Sequence, residues 1–517
     1  MRFILLFCLL LPYLGFAQNE LPQISNLIAT LDTENNLLTI SYDVDDAEGD
    51  SLEISLEVSD GQNPVYLLNT ENATGDIGYP ILSGTGKTIN WSYTGLIENG
   101  GEHTIRLVAN DRYEIDIQEI VDQVDSNRLR SDLEFICGVR HRITGAAHLE
   151  EVKDSIEQLF LAQGLIASRQ AFNLGSYEAH NIIGLKTGTT ESENVYIIDA
   201  HFDTVDDAPG ADDNGSGVAG FMEALRVLSP YNFKKSIKFI GFDLEEEGLI
   251  GSNRYVNSGG IPDYENTEGV LNFEMIGYYD DAPNTQILPS GFEILFPAAA
   301  AELEADDYRG NFLSNVAKTA SLPLHDAFAE AADTYVPDLK IISLVAPDAF
   351  VPPDLLRSDH AYFWGADIQA LMLTDGANFR NMNYHTPDDE FNTLNFNFMT
   401  NVVKAAVATL AELADVEHST TSETAVNLPT KTFEALDCEV AIYQNAEQNI
   451  TLQFNHCNQQ PDLIEIYAIN GQRIFQQRMG QFSQNYLEIN SKQLPSGLYL
   501  VKLSQRNHLH TEKVFIR

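Results

Sequence analysis

Strict alternation of apolar and polar positions runs through Ser51-Leu-Glu-Ile-Ser-Leu-Glu-Val58. It places Leu52, Ile54, Leu56 and Val58 on one face of a half-buried strand. Leu38 to Val44 and His103 to Val108 have the same character, with acidic turns containing Gly and Asn between such runs. The pattern predicts a small β-sandwich over 19–113, in which the acidic run Asp43 to Asp50 is a turn rather than a calcium loop. From 114 to 418 the period changes. Val152, Ile156, Leu159 and Phe160 keep helical spacing until Gly164. Val218, Phe221, Met222, Leu225 and Leu228 form a second amphipathic helix, stopped by Pro230. Short apolar strands stand at 195–200, 236–243, about 269–273 and about 368–374. Such alternation predicts an α/β domain, a sheet covered by helices on both faces. Residues 419–433 are rich in Ser, Thr and Glu without periodicity and read as a linker. Residues 434–517 are again β, with Asn470-Gly471 as a hairpin turn and a strand over 494–503.

Length and charge narrow the function classes. A chain of 517 residues suggests two to four domains, and 44% hydrophobic residues supply ordinary cores. The net charge of −46 excludes a basic nucleic-acid face and electrostatic docking to anionic lipid. Residues 1–18 read as a secretory signal: Arg2, an apolar core from Phe3 to Phe16, and the small Ala17. That core is too short for a comfortable membrane span, and no later stretch is long and apolar enough, so the protein is expected to be exported, with no transmembrane segment. Beyond Cys8, inside the signal, stand Cys137, Cys438 and Cys457, too few for a disulfide scaffold; pairing of Cys438 with Cys457 stays open. No spacing of a zinc finger or CxxC is present.

Acids and histidines gather at the ends of the predicted strands. His201-Phe-Asp203 follows one strand, Asp212-Asp213 precedes a helix, Glu245-Glu246 and Glu274 close two more strands, and Tyr384-His385 follows the last. Each is weak alone, since an Asp-Asp before a helix is usually an N-cap and paired glutamates are usually solvated. Together they occupy the edge where open α/β sheets bind ligands. Mixed carboxylate and imidazole donors suit zinc best, with manganese or cobalt also fitting, and one shared carboxylate lets them hold two ions.

The stretches "HFDTVDDAPGADDNGSGVAG", "DLEEEGLIGS", "NFEMIGYY", "RSDHAYFW" and "NYHTPDD" together resemble the zinc aminopeptidases of peptidase family M28, in the family's order, over roughly 120–415. The resemblance implies a three-layer α/β/α phosphorylase/hydrolase-like domain with a mixed sheet and two Zn2+. It implies His201 and Glu274 on one zinc, Glu246 and His385 on the other, and Asp213 bridging. Asp203 orients His201, Asp212 supports the bridging loop, Glu245 is the general base, and Tyr384 donates to the oxyanion. Asp359 and Arg380 are expected to shape the substrate pocket, His360 to be structural, and Glu247, the remaining glutamate of the row, to be solvated. The family's best-described members carry Asp where this chain has Glu274, whose extra methylene moves the carboxylate about 1.5 Å further from the backbone.

Substrates are expected to be peptides with a free N-terminus, since an acidic cleft suits an α-ammonium group. The N-terminal sandwich is similar to immunoglobulin and fibronectin domains. "IEIYAINGQRIF", "LPSGLYLVKL" and "KVFIR" make the C-terminal segment 434–517 similar to the sorting domain of type IX secretion, which implies the export machinery as a partner and a secreted or cell-surface location. Its usual opening Tyr-Pro-Asn-Pro is replaced here by Tyr443-Gln-Asn-Ala446. Two alternatives stand beside the aminopeptidase: a glutaminyl-cyclase-like acyltransferase with one zinc, and a surface adhesin using the peptidase fold as a scaffold.

Overall fold

The central domain is threaded by an eight-stranded mixed sheet in the order Ile341–Ala346, Leu313–Lys318, Ala370–Thr374, Asn266–Phe273, Glu191–His201, Lys235–Phe242, Tyr177–Lys186 and Ile166–Leu174. The computed structural model describes residues 19–59, 66–93 and 101–428, and then 439–445, 449–455, 463–468, 473–478, 486–492, 494, 496–505 and 508–516. The four middle strands run parallel. From Glu191–His201 the chain first adds Lys235–Phe242 on one side and then Asn266–Phe273 on the other. This reversal opens a crevice at the carboxyl ends of the strands, where ligands bind in such sheets.

Both faces of the sheet are buried. Along the central strand Tyr196, Ile198 and Ala200 join one apolar cluster, while Val195 and Ile197 join the other, as the period of two requires. The first cluster is closed by the helices Ala146–Ala162, Gly217–Leu228, Leu322–Tyr335 and Phe396–Leu413. The second is closed by Ile250–Asn257, Pro297–Ala305 and His360–Gly365. This is the expected α/β/α layering. The helix Gly217–Leu228 lies so near the sheet that a Cβ at Gly220 would stand 2.8 Å from Ile276 Cδ1 and 3.0 Å from Phe273 Cε2. That close approach sets the loop before the helix beside Glu274. A buried ion pair, Lys153 Nζ to Asp243 Oδ2 at 2.7 Å, ties the helix Ala146–Ala162 to the residue following Phe242.

The N-terminal region forms two four-stranded sheets. One runs in the order Gln23–Asp32, Leu37–Asp45, Gly84–Ser92, Thr74–Gly75. The other runs Ser419–Leu428, Gly101–Asn110, Leu52–Val58, Gly78–Ile81. Leu52, Ile54, Leu56 and Val58 are buried as their alternation predicts. The second sheet corrects the expected linker, because Ser419–Leu428 is its edge strand. Its Ser, Thr and Glu side chains carry no apolar stripe, so the strand is held by backbone pairing and by its ends rather than by a buried face. Tyr66 Oη donates to Glu423 Oε1 at 2.7 Å, and Asn110 Nδ2 donates to Glu417 Oε1 at 2.8 Å. Residues 19–92 and 103–426 make one compact unit.

The C-terminal segment, taken by itself, has a three-stranded sheet (Glu439–Gln444, Asn449–Asn455, Tyr486–Asn490) and a four-stranded one in the order Arg473–Arg478, Leu463–Ala468, Gly497–Gln505, His508–Ile516. Ile450, Leu452, Ile464, Ile466, Val501 and Leu503 are its fully buried centre. Residues 1–18, 429–433, Asn470-Gly471, Cys438 and Cys457 lie outside the described residues. No helix among the described residues is long and apolar enough to cross a membrane.

Candidate metal centre

Four parallel strands deliver their following residues to one crevice. His201 ends the central strand and is completely buried. Its Nε2 lies 3.4 Å from Asp213 Oδ1, 3.5 Å from Glu274 Oε2 and 3.9 Å from Glu245 Oε2. On the far side of the ring, Nδ1 is 3.5 Å from Asp203 Oδ1. His385 Nε2 is 3.0 Å from both Asp213 Oδ2 and Glu246 Oε2. Two triads result, His201–Asp213–Glu274 and Asp213–Glu246–His385, in each of which one donor atom per residue lies within 4.8 Å of the others. Asp213 belongs to both.

Strained turns hold these groups. Leu244, Met275 and His385 have φ of 60°, 55° and 57°, so each ligand-bearing bend has a non-glycine residue in the left-handed region. Asp203 fastens the glutamate turn, accepting from Glu245 N at 3.0 Å and Glu246 N at 3.1 Å. The Asp213–Asn214 peptide is cis. Asp212 Oδ1 accepts from Gly277 N at 3.0 Å and its Oδ2 from Asn381 Nδ2 at 2.8 Å. Asn214 Nδ2 donates to Phe273 O at 2.8 Å, and its Oδ1 accepts from Met275 N at 3.1 Å. The bridging loop is thus anchored directly to the strand end that carries Glu274. Ser358 Oγ donates to Glu274 Oε2 at 2.7 Å, which holds the longer carboxylate in place.

The electrostatics call for a cation. Glu246 is pushed up to about 8, chiefly by burial and then by Asp213. Burial works against a charged His385, yet Asp213 and Glu246 outweigh it and raise the imidazole to about 10. His201 is likewise held well above its ordinary value, because Glu245, Asp203, Asp213 and Glu274 outweigh its burial. Glu245 is pushed well above the carboxylate range by burial, which His201 only partly offsets, and by Glu274 and Glu246. Meanwhile His201 Nε2, His385 Nε2, Asp213 Oδ2 and Glu246 Oε1 are buried without a hydrogen bond. Unsatisfied imidazole and carboxylate donors converging in two triads fit a pair of divalent ions, and protons take their place when no metal is bound.

A pH dependence follows. In the metal-free protein His385 contributes stability that is full below its ordinary 6.5 and is lost as pH rises through about 10. Glu246 contributes stability that is full below 4.5 and is lost as pH rises through about 8. Both groups bind more protons folded than unfolded, so the slope has one sign. The gap in melting temperature between metal-loaded and chelator-treated protein is expected to widen from pH 6 to pH 9. A gap that narrows over that span contradicts the assignment.

Beside the centre lies an apolar cavity of about 120 Å³. Its walls include Phe296, Leu303, Phe312, Val316, Leu344 and Met372, with Glu274 and Tyr384 among the lining residues. Tyr384 stacks on His385, with ring centroids 3.8 Å apart, and its hydroxyl accepts from Arg357 Nη2 at 3.0 Å. Arg380 and Asp359 are not among the residues lining this cavity. Arg380 is a buried wall support, donating to Phe312 O at 2.7 Å and Gln286 Oε1 at 2.9 Å, because its guanidinium finds carbonyl partners behind the apolar lining. Asp359 is completely buried at the start of the helix His360–Gly365. His360 is buried between Leu355 O and Asn272 Oδ1, a structural position.

Several contributors escape sequence reasoning. Asp389 accepts from Asp212 N and Asp213 N, both at 3.0 Å, and so fixes the bridging loop. It is one acid of Asp-Asp-Glu, and only the fold distinguishes it from its neighbours. Arg140 is buried and donates to the carbonyls of Ile136, Gly138, Phe202, Pro209 and Gly210. Glu247 is exposed, as expected, and it also carries an ion pair that the sequence does not announce: Arg142 Nε lies 2.7 Å from its Oε1 and His141 Nε2 3.6 Å.

Residues 181–410 match peptidase family M28, and residues 442–517 match the secretion system C-terminal sorting domain. The chain is 30% identical over 272 residues to an uncharacterized protein of Escherichia coli (strain K12), covering 51% of this chain and 80% of that one. It is 36% identical over 129 residues to leucine aminopeptidase 2 of Trichophyton rubrum, covering 24% of this chain and only 25% of the fungal enzyme. The crystal structure of the LapA aminopeptidase of Legionella pneumophila superposes with a TM-score of 0.45 at 24% identity, over 59% of this chain and 77% of that one.

Proposed function

Since the chain belongs to peptidase family M28 and ends in a secretion system C-terminal sorting domain, we propose that it is an exported zinc aminopeptidase that removes bulky apolar residues from peptide N-termini. The observation that carries this reading is the pair of triads sharing Asp213, with Glu245 beside them but in neither. His201, Asp213 and Glu274 would hold one zinc, and Asp213, Glu246 and His385 the other. Bound there, zinc would supply Lewis acidity for the scissile carbonyl and would lower the pKa of the attacking water.

The chain's own groups do the rest. Glu245 takes a proton from the attacking water and passes it to the leaving amine. Arg357 donates to the Tyr384 oxygen, which leaves the Tyr384 hydroxyl proton free for the developing oxyanion. Asp203 holds the backbone of the base-bearing turn and the His201 ring together. Carboxylates around the site favour a free α-ammonium group.

The apolar cavity receives the N-terminal side chain. Its volume of about 120 Å³ is close to the roughly 150 Å³ of apolar cavity that takes up a benzene molecule, enough for a leucine or phenylalanine side chain. Leucyl and phenylalanyl anilides are therefore expected to exceed lysyl and glutamyl anilides in kcat/KM by at least about tenfold. The test is zinc analysis joined to that anilide panel and to N-acetylated peptides. Two zinc ions per chain and no cleavage of blocked peptides support the reading. One zinc with cyclisation of N-terminal glutamine would point to a cyclase instead.

A further inference from the structure

The third glutamate of the row has an assignment of its own. The turn from Leu244 to Leu249 carries the proposed base and one ligand, and it contains three residues at positive φ: Leu244 at 60°, Gly248 at 106° and Leu249 at 58°. Such a bend persists only when its surroundings hold it. Asp203 grips the backbone of Glu245 and Glu246 from the buried side. On the more exposed side, the Glu247 carboxylate is bound by Arg142 at 2.7 Å, with His141 at 3.6 Å. Arg142 belongs to a short segment that is itself clamped. Two residues earlier, the buried Arg140 holds Phe202 O at 2.7 Å and Gly210 O at 2.9 Å. Two residues later, Thr144 Oγ1 donates to Asp206 O at 2.7 Å. Phe202 adjoins His201, and Gly210 opens the loop to Asp213. One segment, 140–144, thus links the glutamate turn to the backbone on which two other metal-site residues stand.

We propose that Glu247 is a positioning residue, whose ion pair with Arg142 locks the glutamate turn to the segments bearing His201 and Asp213. This rests on Glu245 and Glu246 acting as base and ligand. The side chains of Arg142 and Glu247 are 26% and 29% exposed, so the pair adds little to global stability, and its effect falls on the placement of the two glutamates.

Glu247→Gln, Arg142→Met and the double variant separate this from a passive surface contact. Three readouts are needed: kcat and KM on leucyl-p-nitroanilide, the rate of zinc loss to a chromogenic chelator, and the melting temperature. All three variants are expected to lose about tenfold in kcat with KM unchanged, and to release zinc about tenfold faster. Melting temperatures should stay within a few degrees of the original. The double variant should be no worse than Glu247→Gln alone, since that exchange already removes the charge that Arg142 pairs with. Wild-type kcat and zinc release in Glu247→Gln overturn the proposal. So do losses that multiply in the double variant, or a fall in melting temperature large enough to account for them. If the unaltered protein cleaves no anilide, the aminopeptidase reading fails, and the zinc-release comparison alone decides the role of Glu247.

Discussion

Glu245→Gln is expected to lower kcat by about a thousandfold, within the range of a lost general base, while two zinc ions stay bound. The amide keeps the shape of the side chain and removes its capacity to accept a proton from water. Glu245 lies outside both triads, with its Oε2 3.9 Å from His201 Nε2. The exchange therefore spares the metal donors. KM for leucyl-p-nitroanilide should change little, because the apolar cavity and the other carboxylates are untouched. The check is steady-state kinetics on protein free of wild-type contamination, with zinc counted in the same sample. A variant within tenfold of full activity would remove Glu245 from the proposed mechanism.

Asp213→Ala is expected to carry the largest loss, below detection in activity and close to zero in bound zinc. Asp213 Oδ1 faces His201 and Oδ2 faces His385, so one side chain serves both triads. Glu274→Ala and His385→Ala each touch only one triad and should each leave about one zinc. The contrast lies in the stoichiometry, measured by elemental analysis after dialysis. An Asp213→Ala protein that keeps one tightly bound zinc contradicts a shared carboxylate.

Much of the central layout is legible in the chain because the physics is local. The strands 195–200, 236–243 and 269–273 are short apolar runs closed by acids, and they appear as Glu191–His201, Lys235–Phe242 and Asn266–Phe273. The acids and histidines expected beyond those strands do come together in space. The hairpin Ile166–Leu174 with Tyr177–Lys186 is not legible, because its outer strand has no regular apolar alternation, buries only Phe172, and takes its pairing from the sheet edge it joins. Ser358, Asp389 and Arg140 are missed for a related reason. Each matters through the carbonyl, amide or carboxylate it meets, and those partners are distant in sequence. Glu247 shows the same limit at the smallest scale: three identical neighbours acquire three environments, and the third is set by Arg142, about a hundred residues away.

The edge strand Ser419–Leu428 has a consequence for the order of events during synthesis. The N-terminal sheet pairs it with Gly101–Asn110, yet about 300 residues separate the two. At translation rates of roughly 5–20 residues per second, the sheet waits on the order of 15 to 60 s for its last member. Until then Gly101–Asn110 presents an open edge, and the closing contact spans a loop holding the whole central domain. The N-terminal module therefore completes its second sheet only after the central domain has been synthesised.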